Sequence, residues 1–172
     1  MSAITLPATA LLAELESEAH ATRRLLAAVP ADKLDWAPHE RSMTLGLQAQ
    51  HMAGIPGMLT AMLLEDGFDF GAERLAPEQP TSVAPIQETF DTGVLAAKQA
   101  LQSWTETQLA ASWRVTKNGR TLMVPTRSEA LRSLLFNHLY HHRGQLMVYL
   151  RLLDVPLPSI YGPTADEDPF AD

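Results

Sequence analysis

The stretch TRSEALRSLLFNHLYHHRGQLMVYLRLLD, residues 126–154, decides the fold. Thr126 and Glu129 stand at the spacing of a capping box, in which each side chain satisfies a free backbone amide of the other's residue at a helix start. Pro156 and Pro158 stop the helix at its far end, so the segment predicts one long helix reaching about Asp154. At about 100 degrees per residue, Leu131, Leu134, Leu135, His138, His142, Gln145, Tyr149 and Leu152 share one face. An apolar stripe interrupted in mid-helix by three polar side chains is expected to face a core and not water.

Three further segments carry the same period. From Leu6 to Val29 a stripe of Leu12, Leu15, Ala19, Thr22, Leu26 and Val29 predicts helix one, with Thr5 as candidate cap, Pro7 tolerated in the first turn and Pro30 as stop. Helix two is expected from about Met43 to Glu65, opening at Ser42, with Thr44, Leu47, His51, Ile55, Met58 and Met62 inward and Pro56 as a local kink. Helix three is expected from about Pro85 to Leu109, with Ile86, Phe90, Ala97, Leu101 and Trp104 inward. Between helices three and four, Asn118-Gly119 separates two short β-prone runs and predicts a small hairpin. The long linker from Asp66 to Ala84 could cross the length of a bundle, at about 3.3 Å per extended residue, which allows helices two and three to run parallel. The expected fold is all-α, a four-helix bundle with one small β-hairpin, as a single domain over residues 1–172.

The chemistry lies in the interruptions. His138 and His142 are one helical turn apart, so both imidazoles reach one ion at about 2.0 to 2.1 Å. His51 interrupts the stripe of helix two in the same way and is the candidate third ligand. Against this stands a plainer reading, in which each is a hydrogen-bonded core histidine; two interruptions on two helices favour the metal. His141 is a candidate for the mouth of the site. Gln145 either orients a ligand imidazole or satisfies buried backbone, and Arg143 either reaches a substrate carboxylate or lies solvated on the surface. His20 and His39 read as surface residues, and Glu14 and Glu18 either approach the ion from helix one or, as the leading expectation, are solvated charges near a helix start. No catalytic residue is assigned. A general base, if hydrolysis is the reaction, would come from a loop carboxylate such as Asp66 or Asp69.

Composition removes other classes. There is no cysteine among 172 residues, which excludes disulfides, thiolate ligands and a cysteine nucleophile. A net charge of -7 without a clustered basic tract argues against nucleic acid, and no stretch approaches the roughly 20 apolar residues that span a bilayer. The first residues lack a basic region ahead of an apolar one, so a cytoplasmic protein acting on a small molecule is expected.

His138-x-x-x-His142-Arg143-Gly144-Gln145, within FNHLYHHRGQLMVYLRLLDVPLPSIYGP, closely resembles the signature of the DinB/YfiT-like family, and DWAPHERSMTLGLQAQHMAGI resembles that family's second-helix region, with His51 at its histidine. This family is distinct from the DNA polymerase that shares the DinB name. The resemblance implies an up-down-down-up bundle, one divalent ion of zinc or nickel type on three histidines, and frequent homodimers. It also implies a choice of reactions, since relatives include transferases and an isomerase that use a low-molecular-weight thiol. The leading expectation is a metal-dependent S-transferase with an external thiol cosubstrate; a metal-dependent hydrolase and a non-catalytic, stress-related metal-binding module are the alternatives. Apolar residues spread around helix two, namely Met52, Met58, Leu59, Met62 and Leu63, add to the expectation of a homodimer.

Overall fold

A computed structural model describes residues 7–71 and 77–171. Its elements are helix α1 (Ala8–Ala27), helix α2 (Leu45–Leu64), strand β1 (Gly67–Asp69), helix α3 (Ala84–Ser103), short helix α4 (Glu106–Ala110), strands β2 (Arg114–Lys117) and β3 (Arg120–Met123), and helices α5 (Arg127–Ala130) and α6 (Asn137–Leu152). A π-helical stretch, Leu131–Phe136, joins α5 to α6 in one continuous helical run. The protein is thus mostly helical with a small three-stranded sheet, and among the described residues no helix is long and apolar enough to cross a membrane.

The long helices cover one another in a ring: α1 packs on α3 and α6, and α2 packs on the same two. The α2–α3 contact is the most intimate, because Gly57 and Gly93 let the backbones touch. A Cβ added to Gly93 would lie 2.7 Å from the Gly57 nitrogen. Leu11, Leu15, Met52, Phe90, Leu135 and Leu146 are among the fully buried side chains that fill the space between the helices.

Several boundaries differ from expectation, each for a local reason. Thr5 lies outside the described residues, and Pro7 precedes the first turn of α1. Thr44, not Ser42, caps α2: its hydroxyl accepts from the Leu47 amide and donates to Gln79, whose own amide reaches the Leu34 carbonyl. The end of the linker is thereby pinned across the start of α2. Pro56 leaves α2 continuous, with Thr60 donating to the Pro56 carbonyl. Helix three ends at Ser103; Trp104 is extended, and Thr105 with Gln108 forms a second capping box that starts α4 afresh.

The hairpin at Asn118-Gly119 is present, with both residues at positive φ (51° and 77°) as its tight turn demands. The sequence reading missed its partner: β1, inside the supposed linker, pairs parallel with β2. Asp69 ties the two together by accepting from the amides of Gly71, Asn118 and Gly119.

The largest correction concerns helix four. A π-helical turn holds one residue more than an α-helical turn, so residues beyond Phe136 are rotated relative to those before it. The buried face of α6 is consequently Leu139, His142, Arg143, Leu146 and Leu150, while Leu152 and Gln145 are exposed and His138 and Tyr149 are half-buried. The predicted stripe of α2 is turned in the same sense, with Leu47, His51 and Met62 half-buried and Met58 exposed. The two histidine-bearing stripes therefore meet along the rim of the core. Met52, Leu59 and Leu63, which seemed free for a second copy, are buried within the chain because α2 is covered from two sides.

Candidate metal centre

α2 contributes His51 to this rim and α6 contributes His138 and His142. One ring nitrogen from each lies within 4.8 Å of the other two. The Nε2 atoms of His51 and His138 are 3.2 Å apart. Two nitrogens at ligand distance from a tetrahedral ion stand about 3.3 Å apart, so this pair needs almost no adjustment. Ring centroids separate by 5.1 Å for His51–His138, 4.4 Å for His51–His142 and 4.6 Å for His138–His142, with planes steeply inclined. Rings so inclined are not stacked face to face.

Electrostatics keep these imidazoles neutral. Burial pushes the pKa of His51 down, and His138 nearby adds to the effect. Burial likewise lowers His138, against a hydrogen bond from its ring to the Leu134 carbonyl that raises it. Burial, then the neighbouring histidines, pushes His142 down to about 4. A metal needs the unprotonated ring, and the site supplies it at neutral pH without help from a carboxylate. Among the described residues no Asp or Glu joins the group. A borderline-soft divalent cation fits three neutral nitrogens within this spread, one fewer than the four ligands a tetrahedral ion takes.

The other candidates take different places. His141 is exposed and its ring centroid lies 4.8 Å from that of His142, beside the triad. Gln145 is exposed at the rim and accepts from the His142 ring. Arg143 is neither solvated nor at the mouth: its guanidinium turns inward to Glu18, Thr22 and Tyr161, against the rings of Tyr140 and Tyr161. Glu14 and Glu18 are likewise not solvated charges; Glu14 holds Arg132 and Tyr140, and Glu18 holds Arg143. Neither loop carboxylate joins the histidine group: Asp69 accepts from the amides of the hairpin turn, and Asp66, fully exposed, pairs with Arg127 at 3.2 Å. His20 and His39 are exposed, as expected.

Sequence reasoning missed Gln48. It lies one turn before His51, is buried, and its side-chain nitrogen contacts His142 and Gln145. A polar residue three positions before a candidate ligand on the same helix was the available signal.

A three-histidine rim site between two long helices defines a recognisable class. The sequence model of the DinB family matches residues 1–168, and the chain belongs to that family. The uncharacterized protein YrdA of Bacillus subtilis (strain 168) is 31% identical over 153 residues, spanning 88% of this chain and 86% of that one. A crystal structure of a DinB-like protein from Bacillus cereus ATCC 10987 superposes with a TM-score of 0.69 at 26% identity, covering 88% of this chain and 95% of that one. The DinB-like protein YjoA of Bacillus subtilis shares the fold, with a TM-score of 0.64 at 21% identity over 87% of this chain and 96% of that one.

Proposed function

We propose that His51, His138 and His142 hold one divalent ion, zinc or nickel in type, and that the protein is a transferase using a low-molecular-weight thiol. The observation that carries this reading is the convergence of three neutral imidazoles with Nε2 of His51 and His138 3.2 Å apart and no carboxylate in the group. A bound divalent ion would supply Lewis acidity that favours the thiolate form of a small thiol near neutral pH. The chain's own part is to hold the nitrogens and keep them unprotonated. It also leaves one side open, because His51 and His138 are only half-buried. Having no cysteine, the chain must take its thiol from outside. Hydrolysis is less well supported, because among the described residues no carboxylate stands in the histidine group to act as base.

To this reading belong a single domain over residues 1–172, an up-down-down-up arrangement of the long helices, a cytoplasmic location and a homodimer. Metal analysis of the native protein and of single alanine variants at His51, His138 and His142 comes first. One bound ion in the wild type and its loss from the variants is expected; full stoichiometry and affinity in all three overturns the site. Transfer to a chromogenic electrophile is then assayed with a panel of small thiols, using His142→Ala as control. No rate above the metal-stripped protein with any thiol, at full metal occupancy, would leave the hydrolase or the binding module.

A further inference from the structure

We propose that Gln48 is the positioning residue of this centre: from behind, it fixes the His142 imidazole so that the ring's far nitrogen turns toward His51 and His138. The proposal rests on the metal reading above. Gln48 is 1% exposed, so its amide has no water to satisfy it and must find partners in the protein. Its Nε2 lies 3.1 Å from Nδ1 of His142, 3.1 Å from the His142 carbonyl oxygen and 3.1 Å from Oε1 of Gln145. An amide nitrogen has two protons, and two of these neighbours are oxygens that only accept. Both protons therefore go to the oxygens.

Nδ1 of His142, facing a donor that is already committed, keeps its own proton. The Gln145 side chain accepts a hydrogen bond from the same ring, which gives that proton a destination. The lone pair is then on Nε2, the tautomer a metal on the far side requires, and it is set by the hydrogen-bond network around the ring. Gln48 also grips the backbone of the residue it orients. α2 thus supplies one ligand directly, through His51, and steadies a second on α6. Gln145 cannot replace this function alone, being exposed where Gln48 is enclosed.

The test compares wild type, Gln48→Leu, Gln48→Glu, His51→Ala, His138→Ala and His142→Ala. Zinc affinity is read by competition with a chromophoric chelator, and the visible bands of the cobalt(II)-loaded protein report the geometry at the ion. Gln48→Leu is expected to lose about 10- to 100-fold in zinc affinity, the usual cost of removing an outer partner of a ligating histidine, and to shift the cobalt bands while the helical circular dichroism is retained. Gln48→Glu should lose affinity as well, since a carboxylate oxygen in place of the amide nitrogen can donate neither to the His142 carbonyl nor to Oε1 of Gln145. If Gln48→Leu does not fold, Gln48→Met replaces it under the same readouts. Wild-type affinity and unchanged cobalt bands in the apolar variant, with metal lost from His51→Ala, overturn the role of Gln48 alone. Wild-type zinc affinity in His51→Ala, and equally in His138→Ala and His142→Ala, overturns the metal reading beneath it.

Discussion

Arg143 is 2% exposed, and its charge is answered by Glu18 at 2.5 Å, with Thr22 and the Tyr161 hydroxyl beside it. Its guanidinium lies 5.3 Å from the ring centre of Tyr140 and 4.9 Å from that of Tyr161. Removing one partner of such a pair leaves a buried charge unanswered, so Glu18→Ala should cost about 3 kcal/mol or more in urea unfolding. A loss under about 1 kcal/mol, the worth of an exposed pair, would mean that water reaches Arg143. Glu14 gives a pH-dependent counterpart. Its hydrogen bonds from Arg132 hold its carboxyl below the usual value of 4.5, burial opposing and Tyr140 assisting. A carboxyl depressed in the folded state contributes stability that is complete above its unfolded pKa and lost as pH falls through the folded one. The urea midpoint of wild type should therefore drop more steeply below about pH 4.5 than that of Glu14→Gln; parallel curves would remove Glu14 from the acid response.

At the scale of elements, the helix that carries two of the three histidines begins with a reciprocal cap. Thr126 accepts from the Glu129 amide at 3.2 Å, and the Glu129 carboxylate accepts from the Thr126 amide at 2.7 Å. Thr126→Ala should lower stability by about 1 kcal/mol and leave metal affinity alone, because the π-helical stretch and α6 lie beyond the cap. Chemical denaturation and zinc titration of the variant test both halves. The α2–α3 contact is less forgiving. The methyl of Gly93→Ala would stand 2.7 Å from a backbone nitrogen, so the helices must part; a loss of about 1 to 3 kcal/mol is expected, with the thermal midpoint as the measure. Only the first of these features was legible. The Thr126–Glu129 spacing announces the cap, whereas nothing in the spacing of Gly57 and Gly93 says that they will face each other across two helices.

For the whole molecule, residues beyond α6 return along α1. Arg24 reaches Glu167 at 2.5 Å and the Ser159 carbonyl, Arg151 pairs with Asp166, and Tyr161 covers the Arg143–Glu18 pair. Sedimentation at tens of micromolar is expected to show the homodimer proposed above, a rough working range for a stable interface, and monomer alone would count against it. By itself, the sequence determined the four long helical segments, the turn at Asn118-Gly119, the cap at Thr126 and the pairing of His138 with His142, because each depends on residues within a few positions of one another. It also excluded thiolate ligands and made His51 the third candidate. What tertiary structure alone decided is the rotation of those segments. The π-helical stretch, in which Leu131, Leu135 and Phe136 are buried, rotates α6 so that His142 stays buried while His138 lies half-buried at the rim beside the half-buried His51 of α2. Arg143 and Glu18 turn inward, and Gln48 comes to His142, through contacts across 125 and 94 positions of chain. Periodicity along one helix cannot carry such information, since it fixes which residues share a face but not what that face meets.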